Sequence, residues 1–189
     1  MSTQAASRLL TAEEFYELPD PIHGGKMELV RGEVVTHMPV GGVHGRVAAL
    51  IIKFVLRLLD EYHIGEVGPE IGFTLQRNPD IVLAPDVAFV ATEKLPGGVL
   101  PEGFVEGPPT LAVEIVSPND RDHEVSDKVD DYLRLGTDRV WVVRPRARTV
   151  TVHRRDNTAR IYHPGESLTS DDAGFLADGF DLPLDDLFG

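Results

Sequence analysis

Apolar residues at Val47, Leu50, Ile51, Phe54, Val55, Leu58, Leu59 and Tyr62 recur at helical spacing, while Arg46, Lys53, Arg57 and Asp60 take the other faces. This pattern predicts an amphipathic helix over 45–62. A second helix is predicted over 121–135, with a start signal in Ser117-Pro118-Asn119-Asp120 and a stop at Gly136. Between the two the periodicity changes. Runs at 67–76, 81–90 and 111–116 read as strands, and the last two are apolar on both faces, as strands buried in the middle of a sheet are. The Gly- and Pro-rich stretch 92–109 between those two is long for a compact domain and is a candidate binding loop or lid. Ahead of the long helix, Thr11 and Glu14 form a capping box for a short helix that Pro19-Asp20-Pro21 ends. Met27–Thr36 reads as a hairpin turning at Arg31-Gly32. After the second helix come a strand at Val140–Val143 and a hairpin of 149–153 and 159–162 around Asp156-Asn157. An acidic tail, 171–189, follows, and its end at Leu182–Phe188 reads as a docked short helix. The order is that of an α/β protein with a mixed β-sheet flanked by helices. Residues 1–10 read as a flexible tail and 11–189 as one domain.

Two carboxylates interrupt the buried runs: Asp86 in Ile81–Val90 and Glu114 in Leu111–Val116. An ionised carboxylate there is costly unless it is paired, hydrogen-bonded or bound to metal. Proline inside a strand marks an edge or a bulge, so Pro85 is able to turn Asp86 toward an opening; the plain alternative is a strand starting at Val87 with Asp86 as a turn residue. Alternation puts Ala112, Glu114 and Val116 on one face and Leu111, Val113 and Ile115 on the other. If the second face is core, Glu114 faces a cleft or a helix; the alternative is a buried ion pair with Arg139 or Arg144. Metal held by Asp86 and Glu114 together accounts for both acids, and oxygen-only ligands favour Mg²⁺ or Mn²⁺. Glu124, Lys128 and Tyr132 follow one another at i, i+4 on the second helix and share a face. Lys128 is then a candidate to hold an attacking water or offset charge on a phosphate, and Tyr132 and His44 are candidate phosphate contacts. Glu28 and Glu33, in the first hairpin, are each candidates for a third carboxylate, because the turn between them breaks the alternation that would assign their faces.

Composition narrows the classes. The 189 residues include no cysteine, which excludes disulfides, thiol nucleophiles and zinc–thiolate sites. The formal net charge of −13 argues against general coating of nucleic acid, though not against a local metal-neutralised cleft. The start of the chain is polar, without a signal peptide's apolar segment, and the longest apolar stretch, Val47–Leu59, is interrupted by Lys53 and Arg57. A cytoplasmic protein without a membrane partner is expected. There is no P-loop, dinucleotide glycine fingerprint, G-x-S-x-G elbow or H-E-x-x-H pattern.

Pro85-Asp86, Pro109-Thr-Leu-Ala-Val-Glu114-Ile-Val-Ser-Pro118, Lys128, Tyr132, Gly136 and Val140-Trp-Val-Val143, with Met27-Glu-Leu-Val-Arg-Gly-Glu-Val ahead of them and His44 before the long helix, together resemble the Uma family of putative restriction endonucleases. That bacterial group lies within the PD-(D/E)XK nuclease superfamily, and the likeness runs from about Leu10 to Phe188. The resemblance implies a restriction-endonuclease-like core, hydrolysis of nucleic acid, DNA foremost, and a homodimer. It implies Asp86 and Glu114 as ligands of Mg²⁺ (or Mn²⁺), the backbone carbonyl of Ile115 as a further ligand, and Glu28 or Glu33 completing the set. The superfamily's lysine, two residues after the glutamate, is replaced by Val116, and the resemblance moves its role to Lys128. Two rival readings stand beside the nuclease: a catalytically degenerate nuclease fold acting as a binding or accessory protein in mobile-element biology, and a fold whose buried acids are only ion-paired.

Overall fold

A computed structural model describes residues 8–22, 24–118 and 120–189. The chain runs through α1 (Ala12–Tyr16), β1 (Lys26–Val30), β2 (Glu33–His37), α2 (Gly42–Leu59), β3 (Gly65–Gly68), β4 (Phe73–Gln76), β5 (Ile81–Leu83), β6 (Val87–Ala91), β7 (Val105–Glu106), β8 (Leu111–Ile115) and α3 (Asp122–Arg134). It continues through β9 (Arg139–Arg144), β10 (Thr149–Arg154), β11 (Ala159–Tyr162), β12 (Ser167–Thr169), α4 (Ser170–Ala173), β13 (Asp181–Pro183) and α5 (Leu184–Phe188). Residues 1–7 of the expected tail, and Asn119 in the expected helix start, lie outside the described residues. Residues 8–10 are not loose: the Leu10 amide donates to the Gly32 carbonyl at 2.9 Å, and Leu9 packs where a side chain on Gly32 would stand.

Two sheets divide the strands. The larger has the order β11-β10-β9-β8-β6-β3, the smaller β2-β1-β5-β4-β7, and β12 pairs with β13. β8 and β9 are parallel and the other neighbours in the larger sheet are antiparallel, which makes it mixed as expected. One face of this sheet, with Val87, Phe89, Leu111, Val113, Ile115, Trp141 and Val143, packs against Val47, Ile51 and Val55 of α2 and Leu184 and Leu187 of α5. The other face, with Ala88, Val90, Ala112, Val140 and Val142, meets Phe73, Ile81 and Leu83 of the smaller sheet and Val129 and Tyr132 of α3. Beyond the smaller sheet, Leu29 and Val82 receive Ala12 and Phe15 of α1. The α1 capping box forms as expected from Thr11 and Glu14.

Four expectations need correction. The run 67–76 is two strands, β3 and β4, which belong to different sheets. The run 81–90 likewise divides into β5 and β6 in different sheets, with Ala84-Pro85-Asp86 as the joint. Period-two alternation reports burial on both faces and is blind to which neighbour does the burying, so a strand that changes sheets reads as continuous. The stretch 92–109 is not a lid over the pocket described below: two short 3₁₀ turns and β7 tie it to the smaller sheet, and Leu95 and Val105 are buried there. The chain's end is a strand followed by a helix rather than a helix alone, and Leu182, Leu184 and Leu187 are fully buried.

Candidate active site

β8 places the first acid. Leu111, Val113 and Ile115 fill the α2 side of the larger sheet, so Ala112 and Glu114 face α3 and the smaller sheet. β6 places the second. Val87 pairs with Val113 in an antiparallel ladder, and one step further along that register Asp86 lies opposite Glu114. Asp86 therefore precedes the strand, yet it is buried, and its Oδ2 accepts the Ile115 amide at 2.7 Å. β1 places the third. Leu29 points to α1, so Lys26 and Glu28 take the opposite face, toward the same hollow.

These side chains form one network. Lys26 Nζ donates to Asp86 Oδ1 at 2.9 Å and to the Ala84 carbonyl at 2.8 Å. His44 Nε2, in the first turn of α2, contacts Asp86 Oδ2 at 3.0 Å. Lys128 Nζ lies 2.8 Å from Glu28 Oε2 and 3.3 Å from Glu114 Oε2. Glu28 also contacts His37 Nε2 at 2.7 Å and accepts the Ala84 amide at 3.0 Å. The Tyr132 hydroxyl donates to Glu114 Oε1 at 3.1 Å. Lys26, His44, Asp86, Glu114, Ile115 and Lys128 line part of a cavity of about 340 Å³, open between the start of α2 and the start of α3.

Burial raises the carboxyls, and lysine and histidine neighbours reverse the effect for two of them. Glu28 is pushed up by burial, but Lys128, His37 and Lys26 bring it down to about 2. Asp86 is likewise raised by burial and held well below the usual range by the His44 hydrogen bond and the Lys26 charge. Glu114 stays raised, because burial outweighs the attraction of Lys128 and Lys26 and the neighbouring acids oppose its charge. Burial lowers Lys128, yet Glu114 and Glu28 leave it raised overall. Burial also raises the Tyr132 phenol, well above its ordinary value, so it remains a donor.

The structure thus brings Asp86, Glu114, Lys128, Glu28 and His44 together, with the Ile115 backbone between the two strand acids. Glu33 is left out: it is exposed on β2, in register with Val30, and among the described residues it makes no hydrogen bond or ion pair to the cluster. Tyr132, expected at the phosphate, is fully buried and absent from the cavity wall; its hydroxyl is engaged by Glu114. Arg139 and Arg144 do not pair with Glu114 but with Asp171 and Asp122. Two members, Lys26 and His37, are not among the residues expected from the sequence. The face shared by Lys26 and Glu28, two residues apart on one strand, was the available signal for the first. His37 stands opposite Lys26 across the hairpin, which only its register reveals.

The donor set suits a hard cation in chemistry, being carboxylates and a backbone carbonyl. Lysines stand among these acids, and among the described residues no three His, Asp or Glu side chains converge closely enough to hold one ion. A divalent ion shared by Asp86 and Glu114 would take over charge that Lys26 and Lys128 now balance.

A family model described as a putative restriction endonuclease, Uma2, matches residues 12–184. The chain belongs to the Uma2 family. A crystal structure of a putative nuclease of the DUF820 group from Anabaena variabilis superposes with a TM-score of 0.75 at 22% identity, covering 95% of this chain and 97% of that one. At that identity the likeness concerns the fold, which is the nuclease-like α/β architecture expected from the sequence. No curated protein matches the chain. Uma2 membership and the fold together support a nuclease function in general terms, and divalent metals are general in restriction-endonuclease-like families. No helix among the described residues is long and apolar enough to cross a membrane.

Proposed function

We propose that the carboxylate pocket hydrolyses phosphodiester bonds of nucleic acid, DNA foremost, with Mg²⁺ or Mn²⁺ held by Asp86, Glu114 and the Ile115 carbonyl. The observation that carries this reading is the register of β6 against β8, which sets Asp86 opposite Glu114, with Lys128 on Glu114 and the cavity open beside them. When bound, the ion lowers the pKa of a water and offsets charge on the phosphate. Lys128, an ammonium throughout the neutral range, is a donor and not a base; it orients the nucleophile and balances developing charge. Tyr132 holds the Glu114 carboxylate in place and is a positioning residue. His44 fixes Asp86 and reaches the cavity, where it is placed to contact phosphate. Glu28 sets Lys128 and His37. In this reading the protein acts in the cytoplasm, and a homodimer would address both strands.

The experiment is melting and cleavage of the wild type, Asp86→Asn and Glu114→Gln with EDTA and then with Mg²⁺ or Mn²⁺. Metal bound only by the native state stabilises it by about 2.7 kcal/mol at a hundredfold excess over its dissociation constant. The expected result is a metal-dependent shift and cleavage in the wild type, both lost in the variants with the fold intact. Cleavage surviving in both variants would overturn the assignment. One observation favours a second reading, a degenerate nuclease fold used for binding or as an accessory of mobile elements: every oxygen of Asp86, Glu28 and Glu114 already has a protein partner. Nucleic-acid binding with neither metal shift nor cleavage would select it.

A further inference from the structure

The positive charge of this chain is concentrated. Residues 139–163 carry seven arginines and one acid, Asp156, in a protein of net charge −13. Most of these arginines serve the fold. Arg139 and Arg154 hold Asp171, Arg154 also holds Asp172, Arg160 holds Glu166, and Arg144 reaches Asp122 at 3.2 Å. Arg155 stands 3.8 Å from Asp138. The two left without an Asp or Glu partner among the described residues, Arg146 and Arg148, are both exposed and both in the Pro145–Arg148 turn joining β9 to β10.

That turn is at the catalytic end of the sheet. β8 and β9 run parallel with Ile115 beside Val143, so the chain leaving β9 emerges next to the chain leaving β8 after Glu114. The Val116 amide donates to the Val143 carbonyl at 2.8 Å, and Val116 and Ser117 line the carboxylate cavity. Arg148 donates to the Gly189 carbonyl at 3.4 Å, and Arg46, from the first turns of α2, approaches the same glycine. Arg46 is exposed, and its side chain's only hydrogen bond among the described residues is to the Leu187 carbonyl at 3.5 Å. A larger groove of about 650 Å³ lies on the far side of α3; it shares Val125 with the cavity and is lined by Arg144, Thr149, Thr151 and His153. Arg148 is also held at a φ of +56°, in the left-handed region, where an arginine has no backbone advantage over glycine.

We propose that Arg146 and Arg148, with Arg46 beside them, form a phosphate-binding rim that holds the backbone of a nucleic-acid strand flanking the carboxylate cavity. This rests on the nuclease reading and adds the contact surface that an acidic protein otherwise lacks. Exposed guanidiniums held by no acidic side chain, beside a metal-type pocket, suit consecutive phosphates, which Arg engages through paired donors. Such contacts fix position without reading sequence.

The test is binding of a fluorescently labelled DNA duplex and of its single strand, in EDTA so that no cleavage occurs, across a salt series. The proteins are the wild type, Arg146→Ala/Arg148→Gly and Arg134→Ala, the last at the opposite end of α3. Glycine at 148 suits the left-handed backbone, and a wild-type melting curve for the variant separates a loss of affinity from misfolding. The rim predicts that the double variant binds more weakly and that its log–log salt slope is shallower by roughly one unit per arginine, alike for unrelated sequences. Arg134→Ala should match the wild type. A double variant with wild-type affinity and slope overturns the rim and leaves the metal-shift and cleavage results untouched. No binding by the wild type to either probe at low salt overturns it as well.

Discussion

Lys128→Met removes the ammonium shared by two buried carboxylates and nearly preserves volume. Its contacts are 2.8 Å to Glu28 and 3.3 Å to Glu114. At an effective dielectric of about 20, each is worth about 5–6 kcal/mol before desolvation. The lysine is itself desolvated, which offsets part of that gain, and breaking such a pair on one side costs about 3–5 kcal/mol. Both acids keep the Lys26 charge nearby, but Glu28 also keeps His37 and the Ala84 amide while Glu114 keeps the Tyr132 hydroxyl, so most of the loss falls on Glu114. For a protein of this size the loss corresponds to a fall in Tm of roughly 6–20 °C at neutral pH, read by thermal melting with urea titration as a check. The folded-state pKa of Glu114 is already raised above the ordinary glutamate value by burial, so the native state binds the extra proton. The stability of the variant must therefore rise as pH falls from neutral toward that raised value. The double variant Glu114→Gln/Lys128→Met should recover part of the loss, because the stranded charge is gone. A single variant within about 1 kcal/mol of wild type, or a double variant less stable than the single, would refute the account of Lys128 as the charge that makes the acids tolerable.

Two further outcomes follow from geometry away from the pocket. Asp172 accepts hydrogen bonds from Tyr162, from the Thr169 amide and hydroxyl and from Arg154; burial raises its carboxyl but these partners hold it below 3.8. A lowered folded pKa gives stability that is present above the unfolded value and lost as pH falls through the folded one, so Asp172→Asn should lose about 1–3 kcal/mol at neutral pH. Its stability should also vary less with pH below about 4 than that of wild type, which acid titration of urea midpoints will show. Gly65→Ala should destabilise by more than about 1 kcal/mol in the same assay, because the new Cβ would stand 2.1 Å from the Val90 carbonyl oxygen and 2.7 Å from the Phe89 ring, inside a paired strand.

Much of the site was legible because its strands are buried on both faces, so that a lone carboxylate in β8 stands out against its neighbours. The Glu124, Lys128, Tyr132 stripe was legible from helical spacing, and two of its members do reach Glu114. Glu124, the third, lines the cavity but pairs with Arg121 at 3.7 Å. What could not be read is non-local. The role of Lys26 depends on where Ala84 and Asp86 arrive from another part of the chain. The exclusion of Glu33 depends on β2 being an exposed edge. The break between β5 and β6 left only Pro85 as a trace, because each half is buried by a different sheet.

That break has a consequence for how this protein tolerates change. Where the chain passes from the smaller sheet to the larger, Ala84 is gripped by two side chains of β1: its amide by Glu28 and its carbonyl by Lys26. Those same side chains carry the cavity's outer charges, on Lys128 and Asp86. The hinge between the two sheets and the chemical pocket are therefore one piece of hardware. A lineage that abandoned catalysis would still be obliged to retain Lys26 and Glu28 to keep its sheets joined, so their persistence in a relative is no sign that the relative cuts.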